Sequence, residues 1–190
     1  MKKILALASI LWAFGATSYG ETKKIELGII PPVQLGEKTD DVDGFRLGLI
    51  YAENNNVSGF DASLLVSKTT GEFNGFKYFG AYNQFDNGGN LKSALGIVNN
   101  YKGDMHVKQL FNGVNIGENV TGARVASFVN YAEVMNGYDI GVVNFSNEMN
   151  GLQIGIFNYA GHLNGYQIGL INYAKNSSIF PILPIFNVGK

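Results

Sequence analysis

The chain has 190 residues, with 14 Lys and Arg against 15 Asp and Glu, and its length fits one domain. A net charge of −1 argues against a nucleic-acid partner held by charge, and the absence of cysteine excludes disulfides, thiolate nucleophiles and cysteine metal sites. Glycine is abundant at 25 residues, whereas charged residues make up 15% of the chain, against about 25% in typical domains.

Residues 1–20 predict a signal peptide. Lys2 and Lys3 supply a positive start, and the apolar stretch 4–16 is too short for a membrane span, which needs about 20 residues. Small residues at Ser18 and Gly20 predict cleavage after Gly20. We therefore expect an exported protein, located at the cell surface, in the outer membrane or in the periplasm.

Residues 21–43 are predicted to form an N-terminal segment that caps the repeats, since Ile30-Pro31-Pro32 interrupts strand pairing. Residues 175–190 are predicted to form a C-terminal cap that contains Pro181 and Pro184. Each proline removes a hydrogen-bond donor, which suits the exposed end of a sheet.

Residues 44–174 form a tandem repeat. Three near-identical copies of the pattern Asn-Gly-x-x-Ile-Gly-x-x-Asn have their lead glycine at Gly137, Gly151 and Gly165. Walking backward in steps of 15 or 16 residues, the equivalent position falls at Gly122, His106, Asn90, Gly75, Gly59 and Gly44. The sequence thus predicts about nine copies of 14–16 residues, and the short runs rich in Ile, Val and Phe indicate strands.

Alternation within one copy predicts its buried side. Leu152, Ile154 and Ile156 share one side of the strand and are expected to point inward, together with Ala160 and Leu163. Gln153 would then face outward.

Two all-β architectures fit this repeat. A parallel β-solenoid or β-roll makes each copy one coil, whereas an antiparallel up-and-down meander or an outer-membrane β-barrel makes each copy one strand. Asn-Gly before each strand is a hairpin signal and favours the antiparallel forms. The shared asymmetric order of every copy favours the solenoid, because translation along an axis repeats one order. We take the solenoid as the leading prediction.

In a solenoid, equivalent residues stack in columns. The predicted structural ladder consists of the repeat glycines and asparagines Gly137, Gly141, Asn144, Gly151, Gly155, Asn158, Gly165, Gly169 and Asn172. A second predicted column is aromatic and is a candidate binding surface, because aromatic side chains are common at interfaces. Its members are Tyr131, Phe145, Tyr159 and Tyr173.

The pattern resembles a family of exported bacterial surface repeat-containing proteins. The resemblance rests on residues 30–34, on Gly44–Tyr51 with Asn54–Gly59, and on the repeats that end in Leu183–Asn187. It implies a surface or envelope location and supplies no catalytic residue. Between Phe60 and Thr121 the repeat spacing is often broken. The period is also similar to that of the head repeats of trimeric autotransporter adhesins, which form parallel β-rolls.

No constellation of catalytic or metal-ligating residues emerges. Asp41, Asp43 and Gly44 supply only a fragment of a calcium loop, and His106 and His162 lie in different copies. A carbohydrate-active enzyme on a β-helix needs clustered carboxylates, but the acids are scattered, about one per turn. These acids are Asp61, Glu72, Asp86, Asp104, Glu118, Glu133 and Glu148. We expect no enzyme, cofactor or metal.

The sequence therefore predicts an exported, surface-associated repeat scaffold, active in adhesion or partner binding through a flat β face. The partner could be a host or envelope surface component. The alternative is a small outer-membrane β-barrel acting as a pore or channel.

Overall fold

The computed structural model describes residues 20–30, 33–93 and 95–189. The predicted signal, apart from Gly20, and the prolines Pro31 and Pro32 of the predicted N-terminal cap lie outside this range. The described chain is all-β, with about 80% of residues in strands and without a helix. Among these residues, accordingly, there is no helix long and apolar enough to cross a membrane.

The described residues form twelve strands in one sheet that winds into a coil. In chain order they are β1 (Thr22–Ile30), β2 (Val33–Gln34), β3 (Asp41–Gly48), β4 (Tyr51–Asn54), β5 (Val57–Asp61), β6 (Val66–Thr69), β7 (Phe73–Lys77), β8 (Tyr82–Phe85), β9 (Gly89–Ser93), β10 (Gly96–Leu110), β11 (Asn112–Ala174) and β12 (Ile182–Gly189).

Each coil has two arms, and each arm stacks in parallel on the same arm of the next coil. The first arm stacks β1, β3, β5, β7, β9 and the second half of β10. The second arm stacks β4, β6, β8 and the first half of β10. Both stacks continue into β11, which winds through several coils because its bends stay extended.

This parallel stacking confirms the predicted β-solenoid. Gly44 pairs with Gly59, and Gly59 with Gly75, so that the lead glycines form one file. The structure has about seven turns, a small difference from the nine repeat copies. The antiparallel alternatives are not adopted, because consecutive copies run in the same direction.

The predicted register is wrong by one residue in the middle of the chain. Gly75 pairs with Leu91, and Val107 pairs with both Leu91 and Gly122. His106 and Asn90 therefore occupy the position before the lead residue, where the other copies carry Asn, Asp, Thr or Ser. The prediction failed there because larger side chains replace the glycine that marks the repeat.

The largest part of the hydrophobic core is one apolar column. It lies two residues before the lead position on the first arm, and its side chains are at most 1% exposed. Small residues such as Ala132, Ala160 and Ala174 face it from the second arm. The column contains Val42, Val57, Phe73, Met105, Val120, Met135, Met149 and Leu163.

The predicted inward side is correct at Ala160 on the second arm and at Leu163 on the first arm, and it is wrong at the first bend, which contains Ile154 and Ile156. Ala160 and Leu163 are fully buried, but Ile156 is 53% exposed and Ile154 is half-buried. Gln153 is buried instead. Alternation failed because each bend resets its phase: buried positions in this coil fall at 149, 153, 158, 160 and 163, and only 158 and 160 are two residues apart.

Antiparallel strands lie at both ends of the stack. β12 pairs with the last coil of β11, with Gly165 opposite Gly189 and Tyr173 opposite Ile182. At the other end, β2 pairs with β1 near Gly28 and Ile30. Each reversed strand uses hydrogen-bonding groups that a further parallel coil would otherwise need.

Candidate functional surfaces

A ladder of asparagines runs inside the second arm. Each Nδ2 donates to the Oδ1 of the asparagine in the next coil, over 2.8–2.9 Å. Every member is fully buried. The three predicted asparagines are the last members of Asn83, Asn99, Asn115, Asn130, Asn144, Asn158 and Asn172. The ladder supplies each buried amide with partners while holding adjacent coils in register.

The repeat glycines sit where coils approach most closely. Gly151 has φ +138°, and a Cβ on it would lie 2.1 Å from the carbonyl oxygen of Gly137. Gly165 stands in the same relation to Gly151, at 2.0 Å. At the first bend, a Cβ on Gly155 would lie 2.5 Å from the carbonyl oxygen of Gly141. In these last coils, both glycine files are therefore needed for the backbone spacing.

The predicted aromatic column is brought together on the outer face of the second arm. Ring centroids are 5.4 Å apart between Tyr131 and Phe145, 4.1 Å between Phe145 and Tyr159, and 5.0 Å between Tyr159 and Tyr173. The ring planes lie within 14° of parallel. The Tyr131 hydroxyl donates to the Glu133 carboxylate.

This stacking limits what the column can bind. Each inner ring has both faces covered by its neighbours, so only ring edges and hydroxyl groups point to solvent. A sugar that packs on an aromatic face has no free face between coils. The aromatic column therefore packs the coils of the second arm against each other, and it offers a ligand mainly the edges of the rings.

A column of polar and charged side chains fills the interior of the first arm, and sequence reasoning missed it. It lies two residues after the lead position, and every member is at most 4% exposed. Its members are Glu26, Arg46, Asp61, Lys77, Ser93, Gln109, Arg124, Asp139, Gln153, Gln167 and Asn187. Opposite charges alternate in neighbouring coils from Glu26 to Lys77 and again at Arg124 and Asp139. This alternation of charge at one repeat position was the sequence signal that could have revealed the buried column.

The first charged group of the column is centred on Asp61. Its carboxylate lies 2.5 Å from Arg46 and 2.7 Å from the Lys77 ammonium. Burial raises the pKa of Asp61, but the two cations outweigh burial and hold that pKa well below its usual range. Burial lowers the pKa of Lys77 to about 8, against the opposing effect of Asp61. The triad gives the buried carboxylate two cationic partners, and with Lys77 protonated it carries one excess positive charge in the interior.

The second charged group is a bidentate pair. The Nε and Nη2 atoms of Arg124 each donate to the Asp139 carboxylate over 2.7 Å, and Nη1 donates to the Tyr131 carbonyl oxygen over 3.0 Å. Both side chains are fully buried. The pair thus connects two coils and also connects the first arm to the second.

Glu26 begins the column at the N-terminal end. Burial raises the pKa of Glu26 to about 7; the nearby Gly36 N–H opposes this, and the charge of Asp40 adds to it. Asp40 is also buried and lies 3.9 Å from the Lys23 ammonium. Nearby, burial raises the pKa of Asp41, but hydrogen bonds from Asn56 and Asn55 hold it below its usual range. The Asp41 carboxylate thus has its hydrogen-bond partners within the chain.

The bend that joins the first arm to the second forms one long edge of the solenoid, which we call the apolar edge. Its bends span residues 47–51, 62–66, 78–82, 95–98, 110–114, 125–129, 140–143, 154–157 and 168–171, and none of these contains a charged residue or a histidine. Its exposed side chains include Leu49, Ile50, Leu64, Leu65, Tyr78, Leu95, Ile97, Leu110, Phe111, Phe128, Val142, Ile156 and Leu170, and Ile185 of β12 continues it.

A groove of about 610 Å³ runs along the apolar edge in the last coils. Its floor is the glycine file Gly141, Gly155 and Gly169, and its walls are two rows of aliphatic side chains. The walls are Ile140, Ile154 and Ile168 on one side and Val142, Ile156 and Leu170 on the other. Exposed apolar surface of this length marks an interaction site in a folded protein.

The opposite edge, formed by the second bend, is polar and mostly acidic, and we call it the polar edge. Of the scattered acids, only Asp61 is interior; the others lie along this edge as Glu72, Asp86, Asp104, Glu118, Glu133 and Glu148. His162 and Lys175 are exposed on the same edge, whereas His106 is exposed at the start of the first arm. No group of three metal-ligating side chains occurs among the described residues.

Comparison with protein-family models, curated proteins and solved structures finds no match to this chain.

Proposed function

We propose that this protein is an exported, non-enzymatic repeat scaffold that attaches to a cellular surface through its apolar edge. The observation that carries the proposal is the division of the cross-section, with every bend on one edge free of charge and the acids on the opposite edge. A solenoid with this division has one preferred orientation at a boundary between water and an apolar phase.

The rest of the molecule suits a rigid scaffold. The asparagine ladder and the buried charge column hold each coil to the next, so stability accumulates along the stack. The two flat faces then present rows of side chains for adhesion or for binding a host or envelope component. The resemblance to exported surface repeat-containing proteins and the expected signal peptide support a surface location.

Fractionation of the producing cell tests the location. We expect the protein in the envelope fraction, and we expect protease added to intact cells to cleave it while a cytoplasmic control protein stays whole. Recovery in the cytoplasm would remove the premise of export.

Charged substitutions test the role of the apolar edge. Ile156→Glu with Leu170→Glu places two carboxylates on the edge, and we expect the protein to leave the envelope fraction for the soluble exported fraction. Tyr138→Glu with Tyr166→Glu is the matched control, because these side chains are 55% and 52% exposed on the first-arm face. The control should stay in the envelope fraction; equal release of both variants would contradict an edge-specific attachment.

A further inference from the structure

Two exposed residues of the apolar edge have an unfavourable backbone conformation. Among the described residues, Phe111 and Ile185 are the non-glycine residues with positive φ, at 55° and 67°, and both lie on this edge. They are 65% and 74% exposed. A left-handed backbone is unfavourable for bulky or β-branched residues, and such strain concentrates at functional positions. Packing within the described part of the chain covers only the smaller part of both side chains, which points to an external partner.

The backbone along this edge is already hydrogen-bonded. The N–H groups of Leu64, Val66 and Ile97 donate to carbonyl oxygens of the preceding coil over 2.7–3.2 Å, and Phe111 donates to the following coil over 3.1 Å. A peptide strand that adds to a sheet needs free backbone groups, and this edge lacks them at these positions. A medium without water, in contrast, requires backbone groups satisfied in this way.

The edge also offers a folded protein partner little besides apolar side chains. Its nine bends contain no charged residue, and the backbone groups named above are already hydrogen-bonded. Protein interfaces, in contrast, carry about one hydrogen bond per 100–200 Å² and a polar rim. A fluid apolar phase needs no such hydrogen bonds, and it can contact both walls of the groove and its rim.

We propose that the partner of the apolar edge is a lipid bilayer, on which the solenoid lies lengthwise with its apolar side chains among the upper acyl chains. This inference rests on the proposed surface attachment. The polar edge faces water, because its acids are on the far side of the coil. The absence of basic residues from the apolar edge means that apolar burial drives binding, without attraction to anionic headgroups.

Vesicle flotation tests the proposal. The full chain, as recovered from the producing cell, is mixed with vesicles of phosphatidylcholine alone. We expect it to float with the vesicles equally well at low salt and at 0.5 M salt. Ile156→Glu with Leu170→Glu should lower the bound fraction about tenfold or more, because two carboxylates must enter or avoid the interface. Tyr138→Glu with Tyr166→Glu should bind as the parent does.

A second measurement reports which side chains meet the lipid. The chain has no cysteine, so Ile156→Cys and Tyr138→Cys each accept one environment-sensitive nitrobenzoxadiazole label. We expect the emission of the label at residue 156 to rise several-fold when vesicles are added. The label at residue 138 should change little, since that position lies on the first-arm face.

Three results would overturn the lipid inference. One is a parent protein that stays unbound and monomeric. Another is an unbound dimer that the Ile156→Glu, Leu170→Glu variant dissociates, which would assign the edge to a second copy. The last is equal loss of binding in the Tyr138→Glu, Tyr166→Glu control, which would assign binding to another surface. None of these removes export, which fails separately if the protein is recovered in the cytoplasm.

Discussion

Asp139→Ala should destabilise the solenoid far more than any surface change of the same size. The substitution removes both 2.7 Å hydrogen bonds to Arg124 and leaves the guanidinium fully buried, with the Tyr131 carbonyl oxygen as its remaining partner. An uncompensated buried charge is the reason for the large effect.

The expected loss is about 3–5 kcal/mol in the free energy of unfolding, the range for one partner removed from a buried ion pair. For a chain of this length each kcal/mol corresponds to roughly 2–4 °C, so the melting temperature should fall by roughly 6–20 °C. Lys102→Ala is the control, since Lys102 lies 3.3 Å from Asp86 in an exposed pair and should cost at most about 1 kcal/mol.

The assay is denaturation followed by far-ultraviolet circular dichroism, with urea and heat as independent perturbations. Replacing both partners, as Arg124→Met with Asp139→Leu, should recover most of the loss because it leaves no buried charge. A loss below about 1 kcal/mol in Asp139→Ala, equal to that of Lys102→Ala, would refute the reasoning. It would mean that Arg124 reaches water in the folded state.

Further predictions concern the ladders and the buried acid. Asn144→Ala should lower the free energy of unfolding by about 2–4 kcal/mol, because it leaves two buried amides short of a partner. Asn150→Ala is the control: it removes an exposed pair and should change the free energy of unfolding in urea by less than about 0.5 kcal/mol. Gly151→Ala should lower the melting temperature well below that of Leu152→Ala, since its Cβ meets the backbone of the preceding coil; similar values would contradict the close approach. The pKa of Glu26 rises from 4.5 to about 7 on folding, so the folded protein binds this proton more tightly than the unfolded chain does. The free energy of unfolding should therefore fall as the pH rises from 4.5 to 7. Urea denaturation across this range should show a flatter profile in Glu26→Gln, and an unchanged slope would refute the assignment.

The parallel solenoid could be predicted from the repeat because every copy has the same asymmetric order. Residues at equivalent positions, such as Asn144 and Asn158, then stack by translation, and so do Tyr159 and Tyr173. Register failed near His106 because Val107 and Leu91 replace the glycine that marks the copy. The predicted inward and outward sides were wrong at Gln153 and Ile156, because the alternation of a strand is local and each bend resets it.

The sequence alone determined the period, favoured parallel stacking and predicted the columns that translation creates, since these follow from the order of residues within one copy. Only the tertiary structure decided which columns face inward, because a coil must close before it has an inside. It placed Arg124 and Asp139 in the interior, where their charges compensate each other. It also aligned the uncharged bends along one edge, since residues about fifteen apart become neighbours only when the coils stack.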